Sequence, residues 1–279
     1  NIPPLPLDAD QTSELVSLLK EKNNDPDYLL NLLKERVPAG VDQAAYVKAA
    51  FLADITTGNA SSPYISKIDA VEILGTMLGG YNVEPLIRCL EIEELAETAS
   101  HVLGRTLLIF DAFNEIFELS KKNKYAKKVI EEWADAKWFT EKEDIKDQIK
   151  LTVFKVSGEI NTDDLSPAPD AWSRPDIPLH ALAMFKMPRT GLDDPLGTIE
   201  KLKEKGNPLV FVGDVVGTGS SRKSATNSVL WHMGDEIPHI PNKKEGGYCF
   251  GGKIAPIFFN TLEDSGAFPI EMDVSKMLM

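Results

Sequence analysis

The sequence is poor in the residues that build metal centres and disulfide frameworks. It contains two cysteines, Cys89 and Cys249, and four histidines among 279 residues. It has no Cys-x-x-Cys pair and no two histidines at the spacing of a helical metal site, so the pattern predicts no zinc or iron–sulfur site held by this chain. Two thiols far apart in sequence are more typical of a reduced cytoplasmic protein than of a disulfide-stabilised secreted one.

The sequence also lacks a long apolar run and an excess of positive charge. No apolar stretch approaches the ~20 residues that a membrane-spanning helix needs, and residues 1–6 do not have the pattern of a secretory signal. The net charge of −13 argues against broad electrostatic binding to nucleic acid. Five lysines cluster near one predicted helix start: Lys121, Lys122, Lys124, Lys127 and Lys128. This cluster predicts a solvated helix face, with local RNA contact as the alternative.

The half of the chain up to residue 149 has the pattern of amphipathic helices. Leucines recur at helical spacing, and turn signals rich in Gly, Pro and Asn separate the segments. We predict a longer helix over residues 95–119, with an aromatic stripe of Phe110, Phe113 and Phe117 in the core. Paired helices joined by short turns predict an all-α helical solenoid.

The second half, residues 150–279, alternates strand and helix patterns. The predicted elements are strands at 151–156, 209–212, 254–259 and 268–272, helices at 196–205, 223–233 and 260–264, and a proline-rich loop after the first strand that is too constrained for a helix. Alternating strands and helices indicate an α/β unit, so the chain as a whole is predicted to be α followed by α/β. We expect the fold of this second domain to continue beyond Met279.

A glycine-rich loop follows the predicted strand at 209–212. It reads Gly-Asp-Val-Val-Gly-Thr-Gly-Ser-Ser-Arg-Lys-Ser over residues 213–224. Gly217 and Gly219 let the backbone turn sharply and approach a ligand closely. Ser220, Ser221 and Arg222 then lie beside the free N–H groups of a new helix, which favour anions. Because a guanidinium binds carboxylates through two hydrogen bonds, the segment predicts a pocket for a small polyanion.

The common phosphate and hydrolase motifs do not match this loop. A Walker loop needs a glycine directly before the lysine, the dinucleotide fingerprint needs a glycine where Arg222 stands, and no Gly-x-Ser-x-Gly occurs. Without further information, the alternative is an ordinary glycine-rich turn capped by serine.

The proline-rich loop holds a second set of candidate residues. Asp163 and Asp164 are adjacent, so their carboxylates diverge, and helix capping is a better interpretation than general acid–base work. Arg174 follows Trp172 in a segment held by prolines, which lowers the entropic cost of fixing its side chain. The alternative for Arg174 is a surface arginine packed on Trp172.

Several segments together resemble one known family. The run Gly-Ser-Ser-Arg resembles the substrate loop of the aconitase and isopropylmalate isomerase superfamily. The following segments resemble aconitases of the bacterial B type: NTDDLSPAPDAWSRPDIPLH (161–180), KSATNSVLW (223–231), GGKIAPIFFN (251–260), PAGVDQAAYVK (38–48) and LGTMLGGY (74–81). The resemblance extends over essentially the whole chain.

The resemblance implies a fold and an activity. It implies a HEAT-like helical domain over residues 1–149, with roles in subunit contacts and active-site access, and a swivelling β/β/α domain over residues 150–279. The implied enzyme interconverts citrate and isocitrate through cis-aconitate, and it acts on 2-methyl-cis-aconitate in some cases. The implied cofactor is a [4Fe–4S] cluster held by three cysteines in other domains. We therefore expect this chain by itself to be inactive.

The resemblance also assigns residues. Ser220 corresponds to the catalytic base, and Arg174, Ser221 and Arg222, with Ser220, correspond to the residues that hold the substrate carboxylates. The wider superfamily often has His where this chain has Asp164, and Glu where it has Lys223. Roles built on that His or Glu therefore cannot be transferred.

Two other functions and several partner predictions accompany this one. The chain has features of the small subunit of an isopropylmalate-type isomerase, although such subunits lack a long helical leader. It is alternatively an interaction or RNA-binding module that relies on the lysine cluster. The expected partners are a tricarboxylate substrate, the cluster-bearing domains and a second copy bound through the helical domain, with mRNA as a further partner and no membrane.

Overall fold

The computed structural model describes residues 2–106, 110, 112–141, 146–174, 176–220 and 222–278, without the side chains of Ala171 and Arg222. The chain divides into two compact units. The helical unit comprises Pro6–Ile145 and Pro238–Pro241, and the sheet unit comprises Asn1–Leu5, Lys146–Ile237 and Asn242–Met279.

The helical unit contains short helices, several with side-chain caps. The helices are α1 Ala9–Leu19, α2 Pro26–Asn31 followed by a π-helical turn Leu32–Arg36, α3 Gln43–Thr57, α4 Lys67–Gly75, α5 Val83–Cys89, α6 Ala96–Leu103, α7 Phe113–Ser120, α8 Lys124–Ala134 and α9 Lys137–Thr140. Asp8 and Ser66 form capping boxes at α1 and α4, and Gly58 ends α3 in the left-handed conformation. The helices bury a shared core of leucine, isoleucine, valine and alanine side chains.

The single helix predicted over residues 95–119 is wrong. Helix α6 ends at Leu103, Gly104 follows it, and α7 begins only at Phe113. A side chain at Gly104 would overlap the carboxylate of Glu132 on α8, so close packing of α8 explains a glycine where the helix ends. Part of the predicted helix, residues 107–109 and 111, lies outside the described residues.

The predicted aromatic core stripe is also wrong. Phe110 is 83% exposed, and Phe113 and Phe117 are 43% and 44% exposed. The side chains that α7 buries are Ile116 and Leu119, so the aliphatic face of the helix faces the core. Phe113 instead stacks on Phe117 and on Trp133 of α8 near the surface.

The sheet unit is built on four parallel strands. Its strands are β1 Thr152–Asn161, β2 Leu209–Thr218, β3 Asp235–Glu236, β4 Lys244–Glu245, β5 Tyr248–Ile254 and β6 Phe268–Glu271. Its helices are α10 Thr162–Leu165, α11 Ala168–Ser173, α12 Ile177–Ala181, α13 Pro195–Lys203, α14 Arg222–Met233 and α15 Pro256–Asp264. The parallel sheet has the order β1-β2-β5-β6, while β3 and β4 form a small antiparallel pair.

This strand order explains the layering of the unit. The strands are added to the sheet in sequence order and in one direction. Right-handed crossover connections between such parallel strands place the connecting helices on the same face of the sheet. On that face, Phe154 and Phe211 from the strands pack with Val229 of α14 and Phe258 of α15 in one buried cluster. The other face carries a smaller cluster around Val212. A helical region followed by a parallel sheet agrees with the predicted α plus α/β class.

Two local predictions in this half are wrong. The segment 254–259 was predicted as a strand, but β5 ends at Ile254 and α15 begins at Pro256. The proline-rich loop was predicted to exclude helices, but it contains α11 and α12, each with a proline in its first turn. Proline fits there because the first turn has no intrahelical partner for its missing N–H.

Within the part of the chain that the structure describes, none of the helices combines the length and the apolar character that crossing a membrane requires.

Candidate substrate-binding site

The two loops that carry the predicted site residues leave neighbouring strands. Strand β1 ends at Asn161 and β2 ends at Thr218, and these two residues are register partners in the parallel sheet. The hydroxyl of Thr218 donates to Glu159 Oε1 at 2.8 Å across the same strand pair. Because ligands of α/β sheets bind outside the carboxyl ends of the strands, this edge is where a site is expected.

The glycine-rich loop is fitted closely against its neighbours. Gly217 and Gly219 have φ angles of 81° and 104°, which side-chain-bearing residues rarely adopt. A Cβ atom at Gly217 would lie 2.2 Å from Cγ of Phe258, and one at Gly219 would lie 2.5 Å from Oγ1 of Thr162. Sterics at both positions therefore require glycine, and the loop after β2 touches the loop after β1.

Ser220, the predicted catalytic residue, comes directly after Gly219. Ser220 is exposed at the end of the loop, and helix α14 begins two residues later at Arg222, one residue before the predicted start. Ser221 and the side chain of Arg222 lie outside the described residues. The free N–H groups of the first turn of α14 supply partial positive charge next to Ser220.

The loop after β1 is held by a capping network. Asn161 and Asp164 form a capping box on α10, in which the Asp164 carboxylate accepts from the Asn161 backbone N–H at 2.8 Å. Asp164 also pairs with Arg189 at 3.2 Å. The prediction of helix capping is thus confirmed for Asp164.

Arg174 lies directly after α11, and its side chain lies near a carboxylate on that helix. Its backbone N–H donates to the Asp170 carbonyl, and its Nε lies 3.6 Å from Asp170 Oδ1. The Arg174 side chain is 40% exposed. Trp172 is 89% exposed, so the alternative of an arginine packed on that ring does not describe this segment.

His180 connects the Arg174 segment to α14. The residue is 5% exposed, and its ring interacts with the main chain of both Arg174 and Ser224. Its Nε2 is buried and makes no hydrogen bond of ordinary distance and angle among the described residues. Burial lowers the pKa of His180, so the ring is neutral at pH 7. The sequence showed His180 only as one of four scattered histidines, because both partners are distant in sequence.

His232 makes the unit sensitive to pH. It is buried on α14, and its Nε2 lies 3.0 Å from the carbonyl oxygen of Ala181. Burial lowers the pKa of His232 from 6.5. The hydrogen bond with the Ala181 carbonyl and the charge of Glu200 oppose this shift, and Lys203 and Lys244 reinforce it. A histidine with a lowered pKa in the folded state takes up a proton first in the unfolded state. Stability is therefore retained above about pH 6.5 and is lost as the pH falls towards the pKa of the folded state.

We expect His232→Gln to reduce this loss. The urea midpoint of the wild-type chain should fall between pH 7.5 and pH 5.5, and it should fall less in the variant, because glutamine can still donate to Ala181 without titrating. His101→Gln is the matched control, since His101 is exposed on α6. An unchanged pH dependence in His232→Gln would show that His232 does not contribute.

The cysteines do not fit the ligands of an iron–sulfur cluster. Such clusters are held by several thiolates. Burial raises the pKa of Cys249 to about 12 and also raises that of Cys89, and the two belong to different compact units. Among the described residues, no group of three or more His, Cys, Asp or Glu side chains is arranged to hold a metal ion.

The lysine cluster is largely engaged with neighbouring side chains. Lys121 pairs with Glu118 at 2.6 Å, Lys127 with Glu131 at 3.3 Å, and Lys128 with Glu97 at 2.5 Å. Lys124 lies over the Tyr125 ring at 4.7 Å. This arrangement favours the solvated helix face and gives no support to RNA binding.

Comparison with known proteins identifies relatives of both halves. Residues 1–139 match the family model "Aconitate B N-terminal domain", and residues 151–279 match "Aconitate hydratase 2 N-terminus". Curated proteins called aconitate hydratase B are similar to the chain: 59% identical in Escherichia coli over 100% of the chain, 58% in Pseudomonas aeruginosa over 99%, and 51% in Helicobacter pylori over 99%. The aligned regions cover 33%, 33% and 32% of these relatives, so the chain spans about a third of their length.

Proposed function

The chain belongs to the aconitate hydratase B family, and we propose from this that it forms the tricarboxylate-binding, proton-transferring part of an aconitase. The proposed enzyme interconverts citrate and isocitrate through cis-aconitate. The observation that carries the proposal is the meeting of the Gly217–Ser220 loop and the Asn161–Thr162 turn at the carboxyl edge of the parallel sheet. This edge combines a tightly fitted backbone with an exposed hydroxyl and a helix start.

We assign the two regions as the family resemblance suggests. Residues 1–149 form a HEAT-like helical domain for subunit contacts between two copies, and residues 150–279 form the swivelling domain. Neighbouring helix pairs such as α3 with α4 and α7 with α8 support a solenoid-like stacking, and the parallel sheet supports the second assignment. A [4Fe–4S] cluster would be held by parts of the family's length that this chain does not span, in a cytoplasmic enzyme.

We assign the binding roles from the chemistry of the side chains and from the family resemblance. Arg174 and Arg222 would hold substrate carboxylates, and the hydroxyl of Ser221 would donate to a carboxylate oxygen. A guanidinium and amide N–H groups suit a ligand that carries three negative charges, because charge-assisted hydrogen bonds are stronger than neutral ones. The exposure of the Arg174 side chain leaves its terminal nitrogens accessible to such a ligand.

Ser220 would act as the base in its alkoxide form. It would take a proton from the carbon next to the one that carries the hydroxyl group, while the C–H electrons form the double bond and the C–O bond breaks. The departing hydroxide would become water by taking a proton from solvent. Water then adds back with the opposite regiochemistry. A serine is a weak base at neutral pH, so Ser220 would need positive surroundings, which the start of α14 and Arg222 would supply.

We expect Arg222→Ala to weaken transition-state binding by about 2–4 kcal/mol, as truncation of one partner in a desolvated charge pair does. The measurement is kcat/KM for citrate in a protein of the relatives' full length that contains this sequence. Lys223→Ala is the control, because Lys223 is the neighbouring cation and is exposed. If kcat/KM of Arg222→Ala stayed near wild type, the assignment of Arg222 to the carboxylate clamp would be wrong.

A further inference from the structure

Asp170 is a nearly buried carboxylate that the proposed roles leave unused. It lies on α11 and is 7% exposed. Its two oxygens each lie 3.2 Å from Nζ of Lys186, and its Oδ1 lies 3.6 Å from Nε of Arg174. A buried carboxylate is costly unless it is paired, so this arrangement of one anion between two cations calls for an explanation.

The contact geometry acts on the orientation of Arg174. Asp170 and Arg174 are four residues apart, and the Arg174 backbone N–H also donates to the Asp170 carbonyl at 2.9 Å. Nε is the guanidinium nitrogen nearest the carboxylate. Among the described residues, the structure shows no hydrogen bond to the two terminal nitrogens. The carboxylate thus engages the inner edge of the guanidinium and leaves its outer edge free for a ligand.

Lys186 sets the net charge of the cluster that it forms with Asp170 and Arg174. If Asp170 contacted Arg174 alone, the pair would be neutral and would attract a tricarboxylate weakly. With Lys186 also on the carboxylate, the group of three keeps one net positive charge. The side chains of both cations are 40% or more exposed, and ion pairs with exposed partners add little to stability. The cluster therefore acts mainly through the orientation of Arg174 and through the local net charge.

We propose that Asp170 is a positioning residue that holds the Arg174 guanidinium towards a substrate carboxylate, with Lys186 offsetting its charge. The inference rests on the proposed role of Arg174 in binding a tricarboxylate. Asp170 does not touch the ligand and acts by restricting the rotamers of Arg174, which lowers the entropy lost on binding.

The test compares affinities for propane-1,2,3-tricarboxylate, which has three carboxylates and no hydroxyl group and so reports on carboxylate binding alone. Calorimetric titration uses the full-length protein that contains this sequence, with the variants Arg174→Ala, Asp170→Asn and their combination. We expect Kd to rise about tenfold or more for Arg174→Ala. For Asp170→Asn we expect a rise of about three- to tenfold, because the lost orientation of Arg174 outweighs the gain of one net positive charge. In the double variant, Asp170→Asn should add less than about twofold, because Arg174 is no longer there to be positioned.

Two further variants complete the design. Asparagine has the shape of aspartate, and the backbone hydrogen bonds of Asp170 remain, so Asp170→Asn should fold. Lys186→Gln tests the cluster independently of that variant: it should raise Kd about threefold, and the rise should shrink at high salt. Glu200→Gln is the control, because the exposed Glu200 pairs with Lys203 on α13, and it should leave Kd unchanged.

The outcomes separate the inference from the function it rests on. No binding by the wild type, or an unchanged Kd in Arg174→Ala, would refute the proposed function of this site. A raised Kd in Arg174→Ala with an unchanged Kd in both Asp170→Asn and Lys186→Gln would overturn only the positioning role. An equal effect of Asp170→Asn with and without Arg174 would also overturn it, because the residue would then act by another route. In turnover measurements, Asp170→Asn should raise KM for citrate while kcat changes little.

Discussion

Ser220→Ala in the full-length protein is expected to lower kcat for citrate by about two to four orders of magnitude, the usual contribution of a positioned general base. The exposed position of Ser220 at the end of the glycine loop means that its hydroxyl supports little of the fold. The stability of the variant should therefore stay within about 0.5 kcal/mol of wild type. Kd for propane-1,2,3-tricarboxylate should change less than about threefold, because the proposed carboxylate clamp of Arg174 and Arg222 is left intact.

The split between turnover and affinity makes this result decisive. Ser275→Ala is the control, because Ser275 is also an exposed serine of the sheet unit, and its turnover should equal that of wild type. A large loss of affinity at unchanged turnover would instead make Ser220 a binding residue. Equal turnover of Ser220→Ala and Ser275→Ala would remove Ser220 from the proton transfer altogether.

The parts of the fold that the sequence predicted are those with local signals. The apolar run 209–212 and the helix after the glycine loop appear as β2 and α14, because a continuous apolar run and a serine-led helix start depend on nearby residues alone. The incorrect predictions concern features that depend on tertiary packing. Phe113 and Phe117 have helical spacing, but the core accepts Ile116 and Leu119 from the same helix.

The same distinction applies to the candidate site. The glycine loop and Arg174 are visible in the sequence because Gly-x-Gly-Ser-Ser-Arg and a proline-pinned arginine are contiguous patterns. Asp170 and His180 were not predicted as part of it, since their relevance arises from Lys186, sixteen residues away, and from Ser224 on another helix. A charged residue four positions before Arg174 was the one available local signal for Asp170.

The second large effect is expected from a substitution at Gly217, where the glycine loop packs closely against Phe258. A Cβ at Gly217 would lie 2.2–2.5 Å from three atoms of the buried Phe258 side chain, and the residue has a φ of 81°. Gly217→Ala therefore combines an unfavourable backbone conformation, about 1–2 kcal/mol, with overpacking, about 1–3 kcal/mol. We expect the free energy of unfolding to fall by about 2–5 kcal/mol in urea titrations. We also expect tricarboxylate affinity to fall, because the loop must move away from Phe258.

Gly206→Ala separates the effect of the backbone conformation from the effect of overpacking. Gly206 has a similar φ of 73° in the same unit, but a Cβ there would meet nothing within 4 Å. It should therefore show only the backbone term, about 1–2 kcal/mol, and unchanged affinity. A loss in Gly217→Ala no larger than that in Gly206→Ala would mean that the loop does not rest on Phe258. The loop would then not be held at the edge of the sheet by packing, and the fixed position of Ser220 on which the proposed chemistry depends would need another cause.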